Sequence, residues 1–161
     1  MEQRKIRGVL FLGLLVIGLF LPFVSHAEEK IALSKGQTVY VPVYSHIYSG
    51  NKEYPFLLTA TISIRNVDLK HKITITMIDY YNTEGNFVQH FLTEPLTLKK
   101  LASTRYVVKQ DDKSGGSGAK FIVKWQAEQA VNPPVIESVM IGSQQQGVSF
   151  SSRGLVISTA D

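Results

Sequence analysis

The chain has 161 residues, with 17 Lys and Arg against 13 Asp and Glu, and it contains no cysteine. This length allows one domain with a hydrophobic core of its own. The absence of cysteine excludes disulfides, thiolate chemistry, a cysteine-based metal site and a lipid anchor on cysteine.

The first 27 residues have the pattern of a helical signal peptide. Three basic residues precede an uncharged apolar run, and residues 25–27 (SHA) carry the small side chains that a signal peptidase reads. We therefore predict cleavage near Ala27, a mature domain of residues 28–161 with its core at about 37–158, and a periplasmic or secreted location. A retained membrane anchor is the alternative, because the apolar run approaches the length that spans a bilayer.

The predicted mature domain is nearly neutral. Removing the leader takes away three basic residues and one acidic residue, which leaves 14 Lys and Arg against 12 Asp and Glu. The basic residues are scattered along the chain and form no stripe, so neither nucleic acid nor another phosphate-rich partner is expected. Contact with a membrane is expected only through a leader that is not cleaved.

The segment from Tyr40 to Gly50 reads YVPVYSHIYSG. A helix would have Pro42 in its interior at a cost of about 3 kcal/mol, so the segment is predicted to be a strand. Because proline has no N–H for a ladder, this is an edge strand or the first strand of a sheet. One face is rich in tyrosine, and it either meets a partner or covers the rim of the fold. That face carries Tyr40, Pro42, Tyr44, His46 and Tyr48.

The next two predicted strands are FLLTATISIRN and HKITITMIDYYN. The first alternates cleanly, with an apolar face that runs from Phe56 to Ile64. In the second, the alternation fails after Met77, and a bulge near Met77–Asp79 would restore it. The turn NTEG, with Gly85 at positive φ, then leads into the second arm of a hairpin.

Four later strands are predicted at STRYVVKQ, AKFIVKWQA, PVIESVMIGS and GVSFSSRGLVIS. Trp125 lies on the apolar face of the second of these and is predicted at the centre of the core. Seven or eight short strands separated by turn residues predict an all-β fold, a single two-sheet Ig-like β-sandwich. A β-barrel is the alternative.

Asp79 is the most unusual charged residue, since the strand pattern points it inward. A buried carboxylate needs donors or becomes protonated. It either acts as a general acid or base, or it ties down the hairpin or pairs with Arg65 or Arg153. Arg153, beside Gly154, also has the chemistry to clamp a carboxylate or phosphate.

No metal site and no cofactor are predicted. The three histidines of the mature chain, His46, His71 and His90, lack the spacing of metal motifs. The glycine-rich segment DDKSGGSGA lacks the ligand spacing of a calcium loop and the second glycine of a nucleophile elbow. It is predicted to be a freely bending connection between two strands.

Several strings are similar to one protein family: YVPVYSHIY, ISIRN, IDYY, LASTRYVV, GGSGAKFIVKW, VMIGSQQQGVSF and SSRG. With these strings the chain resembles a family of exported bacterial proteins known only as domain of unknown function 3124, from about Gln37 to Ile157. The resemblance implies export and one domain, and it implies no activity. It also draws attention to residues within the matching strings, Tyr80 among them.

The expected function is that of a non-catalytic binding or accessory module of the cell envelope, which contacts an envelope protein or a small ligand. One alternative is a small periplasmic hydrolase-like enzyme that uses Asp79, His46 and Arg153. The other is a structural envelope component whose edge strand pairs with a neighbour. The candidate binding residues are Tyr40, Tyr44, His46, Tyr48, Arg65, Asp79, Tyr80 and Arg153.

Overall fold

The fold is seen in a computed structural model, which describes residues 32–143 and 147–160. Within these ranges all regular structure is β, as predicted, and no helix has the length and apolar character to cross a bilayer. The predicted leader and its cleavage site lie outside the described residues. The strands are β1 (Ser34–Pro42), β2 (His46–Ser49), β3 (Tyr54–Leu57), β4 (Thr59–Arg65), β5 (Ile73–Tyr81), β6 (Phe87–His90), β7 (Leu96–Leu98), β8 (Ser103–Val108), β9 (Lys120–Val131), β10 (Val135–Gly142), β11 (Val148–Arg153) and β12 (Leu155–Thr159).

These strands form two large antiparallel sheets and a two-stranded ribbon. Sheet I has the order β12-β1-β9-β5-β6, with β7 also pairing with β5, and sheet II has the order β11-β10-β4-β8. The ribbon consists of β2 and β3. Neither large sheet closes on itself, which favours the predicted pair of sheets over the closed alternative. The described residues contain twelve strands rather than seven or eight, because breaks divide three of the predicted strands and the three-residue β7 is additional.

The inner faces of the two sheets share one hydrophobic core. The predicted apolar faces of β4 and β9 are confirmed, since Ile62, Ile64, Phe121 and Val123 are all fully buried. Trp125 is 2% exposed, as its predicted place in the core requires. Burying one such side chain stabilises the fold by roughly 1.5–3 kcal/mol. Burial in the core therefore supplies the stability that disulfides supply in many smaller domains.

A bulge in β5 decides which of its side chains reach the core. The register with β9 shifts between Ile75 and Met77, one residue before the range that the sequence pattern indicated. Beyond the shift, Ile78 and Tyr80 are both 0% exposed. The extra residue of the bulge shifts the alternation by one position, so that the residues after it again direct apolar side chains into the core.

Strand β1 lies in the interior of sheet I, so the prediction of an edge strand at Pro42 is wrong, whereas the other prediction, the first strand of a sheet, agrees with the place of β1 in the chain. The N–H of Val43 donates to the carbonyl of Ala119 on the β9 side, at 2.9 Å. Because successive N–H groups alternate sides along a strand, the ring nitrogen of Pro42 faces the β12 side. There β12 pairs only with Gln37–Tyr40. Proline is tolerated because the neighbouring strand has already ended.

The chain crosses from sheet II to sheet I at Gly154, between β11 and β12. The N–H of Gly154 donates to the carbonyl of Ile136 at 2.8 Å. A Cβ atom at this position would lie 2.7 Å from Val39 Cγ1 and 3.0 Å from the Ile136 oxygen. The two sheets therefore approach closely enough at this corner that only glycine fits without displacement.

Asn66 fastens the connection between β4 and β5 to the rest of the fold. The side chain is buried, and its Nδ2 donates to the carbonyls of His71 at 2.9 Å, Lys99 at 3.0 Å and Leu98 at 3.3 Å. Its Oδ1 accepts the N–H of Asp68 at 3.0 Å. One amide thus satisfies four backbone groups from two segments of the chain.

Asp68 continues this network. Its carboxylate accepts the backbone N–H groups of Lys70 at 2.9 Å, His71 at 2.8 Å and Asn132 at 3.0 Å. These hydrogen bonds, led by that of Lys70, hold the pKa of Asp68 well below its usual value, against the opposing effect of burial. The negative charge ties the β4–β5 connection to the segment that precedes β10.

Candidate functional site

The ribbon begins directly after Ser45, where the chain leaves sheet I. Ser45 is fully buried, and both its N–H and its hydroxyl donate to the carbonyl of Gly116 at 3.1 Å. Its carbonyl accepts the N–H of Leu58 at 2.9 Å. These bonds replace the ladder of β1, so the prediction of one continuous strand from Tyr40 to Tyr48 is wrong.

One face of the ribbon packs on the core. Ile47 and Phe56 lie opposite each other and contact the core cluster. Gly142 lies directly against the Phe56 ring, since a Cβ there would overlap it. On the open face, the rings of His46 and Tyr48 meet edge to face with centroids 5.2 Å apart, and Nε2 lies 3.3 Å from the phenol oxygen. The ribbon is therefore anchored on one side and open on the other.

Two tyrosines stand out of the ribbon into solvent. Tyr48 is 54% exposed and Tyr54, opposite Ser49 on the paired strand, is 63% exposed. Tyr54 shares the face of Ser49 and Phe56, beyond the part that packs on the core, whereas Tyr48 and His46 lie on the opposite face. The end of the ribbon thus displays rings on both of its faces, and we call these three residues the aromatic tip. Tyrosine offers a large apolar area with a polar end and few rotatable bonds, which are the properties of residues that anchor protein contacts.

The other predicted tyrosines lie apart from the aromatic tip. Tyr40 is half-buried on the outer side of sheet I, opposite Ile122. Tyr44 is also half-buried, and its ring packs edge to face on Phe150 at 5.6 Å. The tyrosine-rich stretch therefore does not make one surface, and Tyr44 covers the rim of the core.

Asp79 faces away from the core because of the bulge in β5, so the expectation that it points inward is wrong. It is nevertheless only 7% exposed. Its Oδ1 lies 2.8 Å from Nδ1 of His90, which stands directly opposite on β6. The pair joins the two arms of the hairpin, and the partner is His90 rather than Arg65 or Arg153.

Aromatic rings adjoin the Asp79–His90 pair. The ring of Phe87 lies 4.5 Å from that of His90 and meets Tyr81 edge to face at 5.8 Å. Phe87 is 48% exposed. This grouping is not predictable from the sequence, because a register shift between β5 and β6 decides which side chains meet.

Tyr80 belongs to the core rather than to a surface. Its side chain is fully buried, and its hydroxyl has no hydrogen-bond partner among the described residues. Burial, and to a smaller extent the charge of Asp112, raises the pKa of Tyr80 to about 12. The hydroxyl is directed at Gly115, where a Cβ atom would overlap it.

Arg65 and Arg153 lie on one surface, the outer face of sheet II. Arg105, Ser63, Glu137 and Arg153 are directly opposite one another across β8, β4, β10 and β11. Arg65 follows Ser63 on the same face, with its Nη2 3.2 Å from Oε1 of Glu137. We call these five residues the arginine row. Arg105 and Glu137 were missed in the sequence, which does not contain the register between strands.

The glycine-rich segment is fastened to the turn of the β5–β6 hairpin. The N–H and hydroxyl of Thr83 donate to the carbonyl of Gly115 at 2.8 and 3.1 Å. The N–H of Gly118 donates back to the Thr83 hydroxyl at 3.0 Å. Gly85 has the predicted positive φ, at 86°. The segment is thus held by these three hydrogen bonds and by the two that Ser45 donates to Gly116, instead of bending freely.

The three residues of the hydrolase alternative lie on different parts of the fold. His46 is on the ribbon, Asp79 on sheet I and Arg153 on sheet II. No hydrogen bond or ion pair joins any two of them in the part of the chain that the structure describes. Across the same residues, no group of three or more His, Asp or Glu side chains is placed to hold a metal ion.

Comparison with known proteins identifies one family. The family model described as "Protein of unknown function (DUF3124)" matches residues 36–157. This confirms the resemblance found in the sequence strings. No curated protein matches the chain. Among solved structures, one from Thermotoga maritima, titled "Crystal Structure of Thermotoga maritima 1070", is 11% identical, covers 77% of this chain and 97% of its own, and has a TM-score of 0.44.

Proposed function

The chain belongs to the family described as protein of unknown function, DUF3124, and we propose that it works as an exported, non-catalytic binding module of the bacterial cell envelope. In this proposal the two sheets form an Ig-like sandwich that serves as a scaffold. The binding element is the aromatic tip, and the partner is another envelope protein.

The observation that carries the proposal is the exposure of Tyr48 and Tyr54 on a ribbon that Ile47 and Phe56 fix to the core. A folded domain gains nothing in its own stability from exposing two large rings. A partner gains binding energy from them, since the ribbon that carries the rings is already fixed on the core and its backbone loses little further entropy on binding. Exposed, pre-ordered aromatic residues of this kind are where binding energy concentrates.

Replacing both Tyr48 and Tyr54 with alanine is expected to abolish capture of the partner from envelope extract. Truncating a tyrosine anchor costs about 2 kcal/mol, or roughly 30-fold in Kd. The measurement is quantitative mass spectrometry of proteins retained by the immobilised wild type and by the double variant. The melting temperature of the double variant should match that of the wild type, because both tyrosine rings are exposed.

Phe87→Ala is the matched control, because it removes an exposed ring from a different surface. Proteins retained by the wild type and by the Phe87 variant, but lost with the double tyrosine variant, identify the partner. Equal retention by all three proteins would exclude the aromatic tip as the binding element.

Export is the second part of the proposal. It is supported by the basic start, the apolar run and the SHA sequence that ends at Ala27. The protein recovered from the envelope or the medium is expected to begin at Glu28. Intact-mass measurement checks this directly, and recovery of the chain with Met1 still attached would show that the leader is retained as an anchor.

A further inference from the structure

The arginine row carries more positive charge than its single carboxylate can balance. It contains Arg65, Arg105 and Arg153 against Glu137 alone. Glu137 is paired with Arg65. The four ion pairs found among residues 32–143 and 147–160 involve neither Arg105 nor Arg153. The outer face of sheet II therefore presents two guanidinium groups that the fold itself does not use.

The spacing of these two groups indicates an extended partner. Neighbouring strands lie about 4.8 Å apart, so the Cα atoms of Arg105 and Arg153, three strands apart, are separated by roughly 14 Å. The Arg65–Glu137 pair occupies the space between them. A single small anion cannot engage both ends without displacing that pair. A partner with several negative groups along its length can engage both.

The side chains around the arginines favour tetrahedral anions. One guanidinium can occupy both oxygens of a carboxylate, whereas a phosphate group has further oxygens to satisfy. Ser63 accepts a hydrogen bond from Nε of Arg65 at 3.1 Å, which leaves its own O–H to donate. Thr61 and Ser151 add hydroxyls in the next row of the same face. Arginine beside hydroxyl groups is the usual environment of a phosphate.

The same face argues against nucleic acid and against a bilayer. Its paired positions on β4, β8, β10 and β11 include no aromatic side chain on which a base would stack. The charge is also confined to the arginine row, while the rest of the face carries uncharged side chains such as Thr59, Val139 and Ile141. A flat anionic bilayer would contact the whole face, including the part that carries no charge to attract it. We propose that the arginine row binds a linear, phosphate-bearing polyanion without bases, which lies across the strands of sheet II.

Inorganic polyphosphate is a suitable probe, with binding measured by calorimetry over a range of salt concentrations. The double variant Arg105→Gln, Arg153→Gln is expected to bind polyphosphate about tenfold more weakly at low salt. The slope of its log binding constant against log salt concentration should fall in magnitude by about 0.7 for each arginine lost. Glu137→Gln should bind more tightly than the wild type, since it removes the only negative charge in the row. Lys35→Gln, Lys124→Gln is the matched control, because it removes two charges from sheet I and should change little.

The site is distinguishable from the aromatic tip, because the double tyrosine variant should bind polyphosphate like the wild type. Absence of binding at low salt, or an equal loss in the lysine and arginine variants, would overturn the site. Tighter binding to single-stranded DNA of equal charge, to polyglutamate, or to vesicles of phosphatidylglycerol and phosphatidylcholine would overturn the choice of partner.

Discussion

Replacing Gly115 with alanine is expected to lower the free energy of unfolding by about 3 kcal/mol, as overpacking of a rigid core does. The new Cβ would overlap the hydroxyl of Tyr80 and lie 2.6 Å from its Cζ and 2.8 Å from Ala119 Cβ. Tyr80 and Ala119 are both buried, so neither side chain has free space to move into. The backbone of the glycine-rich segment would have to shift, against the hydrogen bonds that fasten it to Thr83.

The overlap with Tyr80 provides an internal check. Tyr80→Phe alone should be neutral or stabilising by up to about 1 kcal/mol, because it removes a buried hydroxyl that has no hydrogen-bond partner among the described residues. In the Gly115→Ala background the same change should restore part of the lost stability, with a coupling of about 1 kcal/mol or more. Recovery should be incomplete, since the Tyr80 Cζ position and Ala119 remain.

Urea unfolding, followed by the fluorescence of the single tryptophan, Trp125, gives the free energy of unfolding of the wild type, the two single variants and the double variant. Trp125 is 2% exposed, so unfolding transfers it fully to water. Strict additivity of the two changes would mean that Gly115 and Tyr80 do not meet as described. A Gly115→Ala protein as stable as the wild type would contradict the packing of the whole segment.

The second large effect is expected for Asn66→Ala. This change removes the Asn66 amide from the carbonyls of His71 and Leu98 and from the N–H of Asp68. The carbonyl of Lys99 loses the amide as well but keeps the N–H of Ala102 at 3.0 Å. Each buried group left unsatisfied costs about 1–3 kcal/mol, and water reaching the more exposed ones reduces the sum, so we expect a loss of about 3 kcal/mol. Thermal and urea unfolding should both show this decrease in the free energy of unfolding.

Asn51→Ala serves as the control for this prediction, since it removes the same side chain from an exposed position in the turn of the ribbon. Its stability should stay within about 0.5 kcal/mol of the wild type. If the two asparagine variants were equally stable, the hydrogen bonds of Asn66 would contribute nothing and the network would need another explanation.

Local alternation in the sequence predicted the parts of the fold that follow from side-chain polarity. The inward faces of β4 and β9 follow directly from residues such as Ile62 and Phe121, because each strand is straight and half-buried. The bulge in β5 was also predictable to within one residue, since the apolar residues Ile78 and Tyr80 require it. These inferences need no knowledge of which strands are neighbours.

The remaining features depend on contacts between distant segments. The bond from Ser45 to Gly116 ends β1, and no local pattern around Ser45 announces it. The partner of Asp79 is His90 because a register shift places them opposite each other. Arg105 joins Arg153 only through the order of β8, β4, β10 and β11. The candidate surfaces were therefore less predictable than the core.

The position of β1 between β9 and β12 has a consequence for the order in which the domain can assemble. Val39 is paired with Val123 on one side and Val156 on the other, so both neighbours come from the last third of the chain. Closing such distant contacts is slow compared with forming local hairpins. While the ribosome is still making the protein, its earliest strand has nothing to pair with. Strand β1 therefore gains β9 as a neighbour only after residues 120–131 have been synthesised, and β12 only after residues 155–159, so sheet I is completed after the hairpins that lie between these strands in the chain.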